Sequence, residues 1–256
     1  MNPGLIIAGL VVGILVGLTS AGGGSLMTPL LVYLGIPPLV AVGTDLLYSV
    51  PTKTFGWFLH QRQGTLRYDI VRELCIGGVP ASLLGLLLLS VASQHLNMPV
   101  VEQWVKHAIG FMVVLSAIMI GLSPLILRRH QQIETSNEPI PRRRLIAIGA
   151  LVGFIVSLTS IGSGAVAMPL LILLVPGVTL AELVGSDIAF STVLVVIAAA
   201  GHWKMGHVDV PLTLNLLIGS MIGVYIGSRL CGVLSQQWIR PALAVVLVIA
   251  GSRLIV

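Results

Sequence analysis

Gly153-Phe-Ile-Val-Ser-Leu-Thr-Ser-Ile-Gly-Ser-Gly-Ala-Val-Ala-Met-Pro169 sets a cluster of glycine and serine into the middle of a long apolar run. Gly13-Ile-Leu-Val-Gly-Leu-Thr-Ser-Ala-Gly-Gly-Gly-Ser-Leu-Met-Thr-Pro29 does the same near the start of the chain. In water such a cluster reads as a loop. Within hydrocarbon every unpaired N–H and C=O is costly, so a break in a spanning helix must serve packing or line a cavity.

The surrounding composition places these breaks in a membrane. Of the 256 residues, 56% are hydrophobic and 9% charged, with a mean hydropathy of +1.03. Soluble domains carry about 25% charged residues. No Asp, Glu, Lys or Arg occurs from Met1 to Thr44 or from Leu145 to Ala181, and a spanning helix needs only about 20 such residues. Met1-Asn-Pro-Gly4 lacks a basic start, so the first apolar run is expected to stay as a membrane segment rather than act as a cleaved signal. The net charge of +5 does not point to nucleic acid, because the arginines sit between apolar runs rather than on one amphipathic face.

Five apolar elements are expected in each half: 4–20, 25–35, 38–59, 70–92 and 105–127, then 145–160, 164–175, 180–201, 211–233 and 239–256. Between them lies Arg128 to Arg144, a polar stretch with prolines and charges. The chain is thus read as an all-α polytopic membrane protein with a first repeat over 1–127, a cytoplasmic connector over 128–144 and a second repeat over 145–256. It has about eight to ten helices, counting broken or re-entrant segments. The duplication extends beyond the breaks. Gly43-Thr-Asp45 matches Gly185-Ser-Asp187, His60-x-Arg-x-Gly64 matches His202-x-Lys-x-Gly206, and Gly77, Ala81 and Gly85 match Gly219, Gly223 and Gly227, all at an offset of 142 residues.

Positive-inside placement puts the connector and the loop with Arg62, Arg67 and Arg72 in the cytoplasm. It does not decide how the halves relate, because odd and even numbers of crossings leave the same ten Lys and Arg inside and three outside, with Lys53 set aside. Inverted halves are expected by analogy with transporters built on broken helices. The tryptophans fall near helix ends, Trp57 and Trp203 at exits and Trp104 and Trp238 at entries, where indoles settle at a lipid interface. Gly9-x-x-x-Gly13-x-x-x-Gly17 and Gly219-x-x-x-Gly223-x-x-x-Gly227 line one helical face each and read as close-packing seams. Cys75 and Cys231 read as buried, inert thiols.

A helix restarting after Gly24 or Gly164 exposes N–H groups and the positive end of its dipole, which suits an anion. The candidate binding residues are Thr19, Ser20, Gly22, Gly23, Gly24 and Ser25 with Thr159, Ser160, Gly162, Ser163 and Gly164. Simple helix capping is the alternative, and the matched pair of breaks favours a site. Asp45 and Asp187 are candidate coupling residues, either carrying a proton at membrane depth or sitting at the interface as helix-start carboxylates. Lys53, opposite Val195 in the repeat, could attract an anion or pair with Asp45 eight residues earlier, and is expected first of all to snorkel. No metal site and no cofactor are expected. H-E-x-x-H, G-x-S-x-G and a Walker loop are all missing, which argues against an intramembrane protease or an ATP-driven pump on this chain alone.

Gly17-Leu-Thr-Ser-Ala-Gly-Gly-Gly-Ser25 with Pro29, Gly43-Thr-Asp45, and Thr159-Ser-Ile-Gly-Ser-Gly164 with Pro169 together resemble the TauE/SafE transporters, the sulfite exporters and sulfonate-uptake permeases. The resemblance covers nearly the whole chain. It implies a multi-pass permease of the bacterial inner membrane, not an enzyme, that moves a small sulfur-containing anion such as sulfite or an organosulfonate with ion-gradient coupling. A passive anion channel and a non-transporting membrane assembly or partner-binding protein are the alternatives. The expected partners are the small anionic substrate and the lipid bilayer, with no nucleic acid; a homo-oligomer stays open. The second half departs from the first at Ser157 for Gly17 and Ser163 for Gly23, so the two breaks are not equivalent.

Overall fold

A computed structural model describes residues 3–19, 24–133, 142–231 and 236–255. These form ten helices, in the order α1 (Pro3–Thr19), α2 (Gly24–Tyr33), α3 (Pro38–Arg62), α4 (Tyr68–His95), α5 (Met98–Ile133), α6 (Arg142–Thr159), α7 (Ala167–Leu174), α8 (Leu180–Lys204), α9 (Val210–Cys231) and α10 (Gln236–Ile255). Each expected apolar element is present as a helix. Two ends run past the expected connector boundary: α5 reaches Ile133 and α6 begins at Arg142. Leu, Arg and Gln are good helix formers, and cations at the end of α5 suit its dipole.

Local signals explain the starts of α3 and α8, each of 25 residues. α3 opens with Pro37 and Pro38, whose fixed φ suits a first turn. α8 opens with a capping box in which the Thr179 side chain accepts from the Glu182 N–H while Glu182 takes the Thr179 N–H. Four segments, Tyr68–His95, Met98–Ser123, Leu180–Lys204 and Val210–Gly227, are long and apolar enough to cross a bilayer. Leu83, Leu84, Leu87, Leu88, Phe111 and Met221 are all exposed, an apolar exterior that suits lipid and not water. The protein is an all-helical, multi-pass membrane protein.

The helices pack in pairs: α1 on α9, α4 on α6, α5 on α10 and α3 on α8. Glycines set the first two. A Cβ on Gly9 would lie 2.5 Å from the Leu216 carbonyl oxygen, and one on Gly13, Gly223 or Gly227 would strike the backbone of Ser220, Leu10 or Ile14 respectively. Contacts that advance together along both chains make α1 and α9 parallel. The same holds for α4 and α6, where Gly77 meets Ile146, Gly153 meets Gly78 and Gly85 meets Ser157. These are the small-residue seams that let membrane helices approach closely.

α3 and α8 run the opposite way to each other. The Arg67 N–H just beyond the end of α3 donates to Ser186 Oγ near the start of α8 at 3.2 Å, and the Asp209 N–H beyond the end of α8 donates to Thr44 Oγ1 near the start of α3 at 3.2 Å. Each helix has 25 residues, about 37 Å of rise, enough to cross a hydrocarbon core. Trp104 and Trp203 are exposed as expected of interfacial indoles, whereas the Trp57 Nε1 is buried without a partner among the described residues; the Trp238 side chain lies outside them. Cys75 is a free, half-buried thiol in α4.

Candidate functional site

The second break is held by side chains from the two antiparallel helices. Ser160 follows α6 directly in a left-handed conformation, φ 60°, and its hydroxyl donates to Asp45 Oδ2 at 2.8 Å. Thr28 of α2 donates to the same oxygen at 2.6 Å. Ser163 accepts a hydrogen bond from Lys53 Nζ. The Gly164 N–H, at φ 62°, donates to Asp187 Oδ2 at 3.1 Å. Three residues of the break, Ser160, Ser163 and Gly164, are therefore pinned by Asp45 and Lys53 on α3 and by Asp187 on α8.

Both aspartates are the eighth residue of their helices, about 10 Å from the first turn. They are 0% and 5% exposed, and the Oδ1 of each is buried with no hydrogen-bond partner among the described residues. Because α3 and α8 are antiparallel, Asp45 and Asp187 approach the interior from opposite faces. Lys53 lies two turns further along α3 than Asp45. Its ammonium turns inward to Ser163 rather than snorkelling to a surface.

The helix α7 begins at Ala167 with Val166 as its N-cap, three residues beyond Gly164. The Val166 and Ala167 N–H groups both bond the Gly162 carbonyl, at 3.0 and 2.8 Å, and Pro169 has no N–H. Thr159 is used locally: its hydroxyl bonds the Ile155 or Ile161 carbonyl and accepts the Ile161 N–H. The groups turned toward the two long helices are thus the donors Ser160 Oγ and Gly164 N–H and the acceptor Ser163 Oγ. In the first break, Gly24 opens α2 and Ser25 is buried in its first turn, while Ser20, Gly22 and Gly23 lie outside the described residues, as does the side chain of Thr19.

Two cavities adjoin opposite ends of α8. One of about 280 Å³ reaches Gly164 and Ala165 past Met168, Leu180 and Val184. The other, about 450 Å³, lies at the far end against Ser90, Gln94, Lys204 and His207. There His202 shares a hydrogen bond with the Ser157 carbonyl at 2.9 Å, 5.6 Å between ring centroids from His207. Among the described residues no three His, Cys, Asp or Glu side chains converge as a metal site would need.

Lys53 reaches the break although snorkelling was its first expectation. Its offset from Asp45, eight residues or a little over two turns, keeps both on one side of α3.

The sequence model of the sulfite exporter TauE/SafE family matches residues 5–254. The Bacillus subtilis (strain 168) protein YjnA, named a probable membrane transporter protein, is 39% identical over the full length of both chains. YdhB of the same strain, similarly named, is 28% identical over 98% of this chain and 99% of its own. The Methanocaldococcus jannaschii protein MJ0441, also named a probable membrane transporter protein, is 26% identical over 97% of this chain and 93% of its own. No solved structure matches the chain.

Proposed function

The chain belongs to the TauE/SafE sulfite exporter family, and from that premise we propose that it is a secondary transporter of a small sulfur-containing anion, such as sulfite or an organosulfonate, in the bacterial inner membrane. The observation that carries the reading is the junction of Lys53 with Ser163 beside the Gly164 N–H. A half-buried cation, a hydroxyl and a backbone donor ahead of a helix start form an anion receptor. Asp187 now holds the Gly164 N–H, so an entering anion competes with a carboxylate for the same donor. The cavity that reaches Gly164 is its approach from one face.

Alternating access follows from two inverted halves sharing this receptor. The partner exchange supports that relation: the first and fourth helices of one half pack on the fourth and first of the other, and the two third helices run antiparallel. Loading proteoliposomes with the purified protein and following ³⁵S-sulfite tests the function. The expected result is saturable uptake and accumulation against a gradient, lost when Gly24 and Gly164 are both replaced by leucine. Flux that saturates but never accumulates identifies a channel, and no saturable flux for sulfite, thiosulfate or taurine identifies a scaffold.

A further inference from the structure

The break between α6 and α7 has two electrically different ends. α6 presents its C-terminus, where carbonyl groups carry the negative end of the dipole, and α7 presents its positive N-terminus. Asp45 is bonded by Ser160, the residue immediately after α6. Asp187 is bonded by Gly164, on the α7 side. A carboxylate at the α7 end is favoured by the field, and a carboxylate at the α6 end is opposed by it.

The immediate surroundings widen that difference. Asp45 is wholly buried, with two hydroxyl oxygens against Oδ2 and a bare Oδ1. All of those neighbours are oxygen atoms, which also have lone pairs to offer. Thr28 stands where Met168 stands in the second break, so Asp187 lacks that hydroxyl. No ion pair joins Lys53 to Asp45 among the described residues; the Lys53 ammonium bonds Ser163 instead. Carboxylate, hydroxyls and a half-helix C-terminus are the donor set that takes a coupling cation in transporters with broken helices.

We infer that the two aspartates have separate tasks: Asp45, with Thr28 and Ser160, holds a monovalent coupling cation, H⁺ or Na⁺, while Asp187 is a placeholder for the anion. This rests on the transporter reading above. The other titratable groups around this junction are Tyr48 and Lys53 on α3, His202 and His207 against Gly43, Asp209, whose N–H donates to Thr44, and Asp187 on α8, which holds the same break at Gly164. α2 adds Tyr33 at its far end, bonded to the Ala250 carbonyl, and α5 adds Glu102, Lys106 and His107 near its start.

The experiment needs no transported substrate, so it fails independently of the transport reading. Thermal unfolding of the purified protein is followed with NaCl exchanged for KCl at constant ionic strength, and separately across pH 5.5 to 8.5, for wild type, Asp45→Asn and Asp187→Asn, the pH series carrying His207→Gln throughout so that the acid limb set by that histidine is removed. The expected result is a melting temperature that depends on Na⁺, or on pH, in wild type and Asp187→Asn, with that dependence lost in Asp45→Asn. Loss of a Na⁺ response identifies sodium, and loss of a pH response identifies the proton. If Asp45→Asn does not fold, Thr28→Val and Ser160→Ala replace it and should raise the half-maximal cation concentration at least fivefold. Dependence retained in Asp45→Asn, lost in Asp187→Asn alone, or missing from wild type overturns the assignment.

Discussion

Ser160 and Asp45 are separated by 115 residues and joined by a 2.8 Å hydrogen bond in which the serine hydroxyl donates to a fully buried carboxylate. The bond ties the end of α6 to the second turn of α3, so the break of one half is anchored by the long helix of the other. With Thr28 on the same oxygen, it also joins α2 to that junction. Movement of α3 therefore cannot leave the break unchanged.

Removing either hydroxyl leaves a buried carboxylate under-satisfied, which costs about 1–3 kcal/mol. Ser160→Ala and Thr28→Val should each lower the melting temperature, and the double variant should depart from additivity because both serve Asp45 Oδ2. Ser160→Gly should be less damaging than Ser160→Ala, since glycine accepts φ 60° without Cβ strain. Equal losses for glycine and alanine would mean that the left-handed backbone is not the discriminating factor.

The seams make a sharper stability prediction. A methyl at Gly153 would strike the Gly78 backbone, and one at Gly223 the Leu10 backbone, whereas a Cβ at Gly121 meets nothing within 4 Å. Gly153→Ala and Gly223→Ala should destabilise by about 2 kcal/mol or more, as overpacking against backbone cannot be relieved by rotamer change. Gly121→Ala should be neutral or stabilising by up to about 1 kcal/mol, because alanine is the better helix former. Apparent melting temperatures in one detergent compare the three.

Helix existence was legible in sequence because long uncharged runs, glycine spacing and proline positions all act locally. The seams were legible for the same reason: Gly219, Gly223 and Gly227 already line one face. The relation of the halves was not, since charge counting gave ten against three for either arrangement, and only the contacts of Arg67 with Ser186 and Asp209 with Thr44 orient α3 against α8. Nor could sequence say which donors a break spends on itself. Thr159 looks identical to a ligand until its hydroxyl is found closing the end of α6, and the Gly164 N–H looks free until Asp187 is found upon it. Lys53 was misread because snorkelling is the usual fate of an intramembrane lysine, and its partner lies 110 residues away.

Inverted halves make a labelling prediction. Gln63 and Lys204 lie in equivalent hairpin turns, after α3 and at the end of α8, and both are exposed. In a variant with Cys75 and Cys231 replaced by serine, a cysteine at 63 should react with an impermeant maleimide only from the cytoplasmic face, together with one at Arg142. A cysteine at 204 should react only from the opposite face. Labelling of 63 and 204 from one side would make the halves parallel.

His207, in the turn between α8 and α9, gives a pH dependence of known sign. Burial pushes its imidazole below the ordinary histidine range, and its Nδ1 is enclosed without a partner among the described residues. The folded protein therefore keeps it neutral while the unfolded chain takes up a proton below about pH 6.5. Its stability contribution is intact above that value and is lost as pH falls toward the lowered folded value, by at most about 1.4 kcal/mol per pH unit. His207→Gln should flatten the acid limb of melting temperature against pH and leave the limb above pH 7 unchanged.

Lys53 separates an anion receptor from a packing lysine. If the side chain served only through its aliphatic stem, Lys53→Met would preserve both volume and function. As the counter-charge for the substrate it contributes a charge-assisted hydrogen bond, worth about 1.5–3 kcal/mol, so Lys53→Met should raise the KM for ³⁵S-sulfite by about 10- to 150-fold. Lys53→Arg keeps the charge but moves it onto a planar fork that a single hydroxyl cannot match, and should fall between the two. Asp187→Asn supplies the opposite sign: its amide holds the Gly164 N–H less strongly than a carboxylate does, so the donor is more easily surrendered to the anion and KM should fall. Parallel losses in both variants would place Lys53 and Asp187 in one structural ion pair instead of on either side of a substrate.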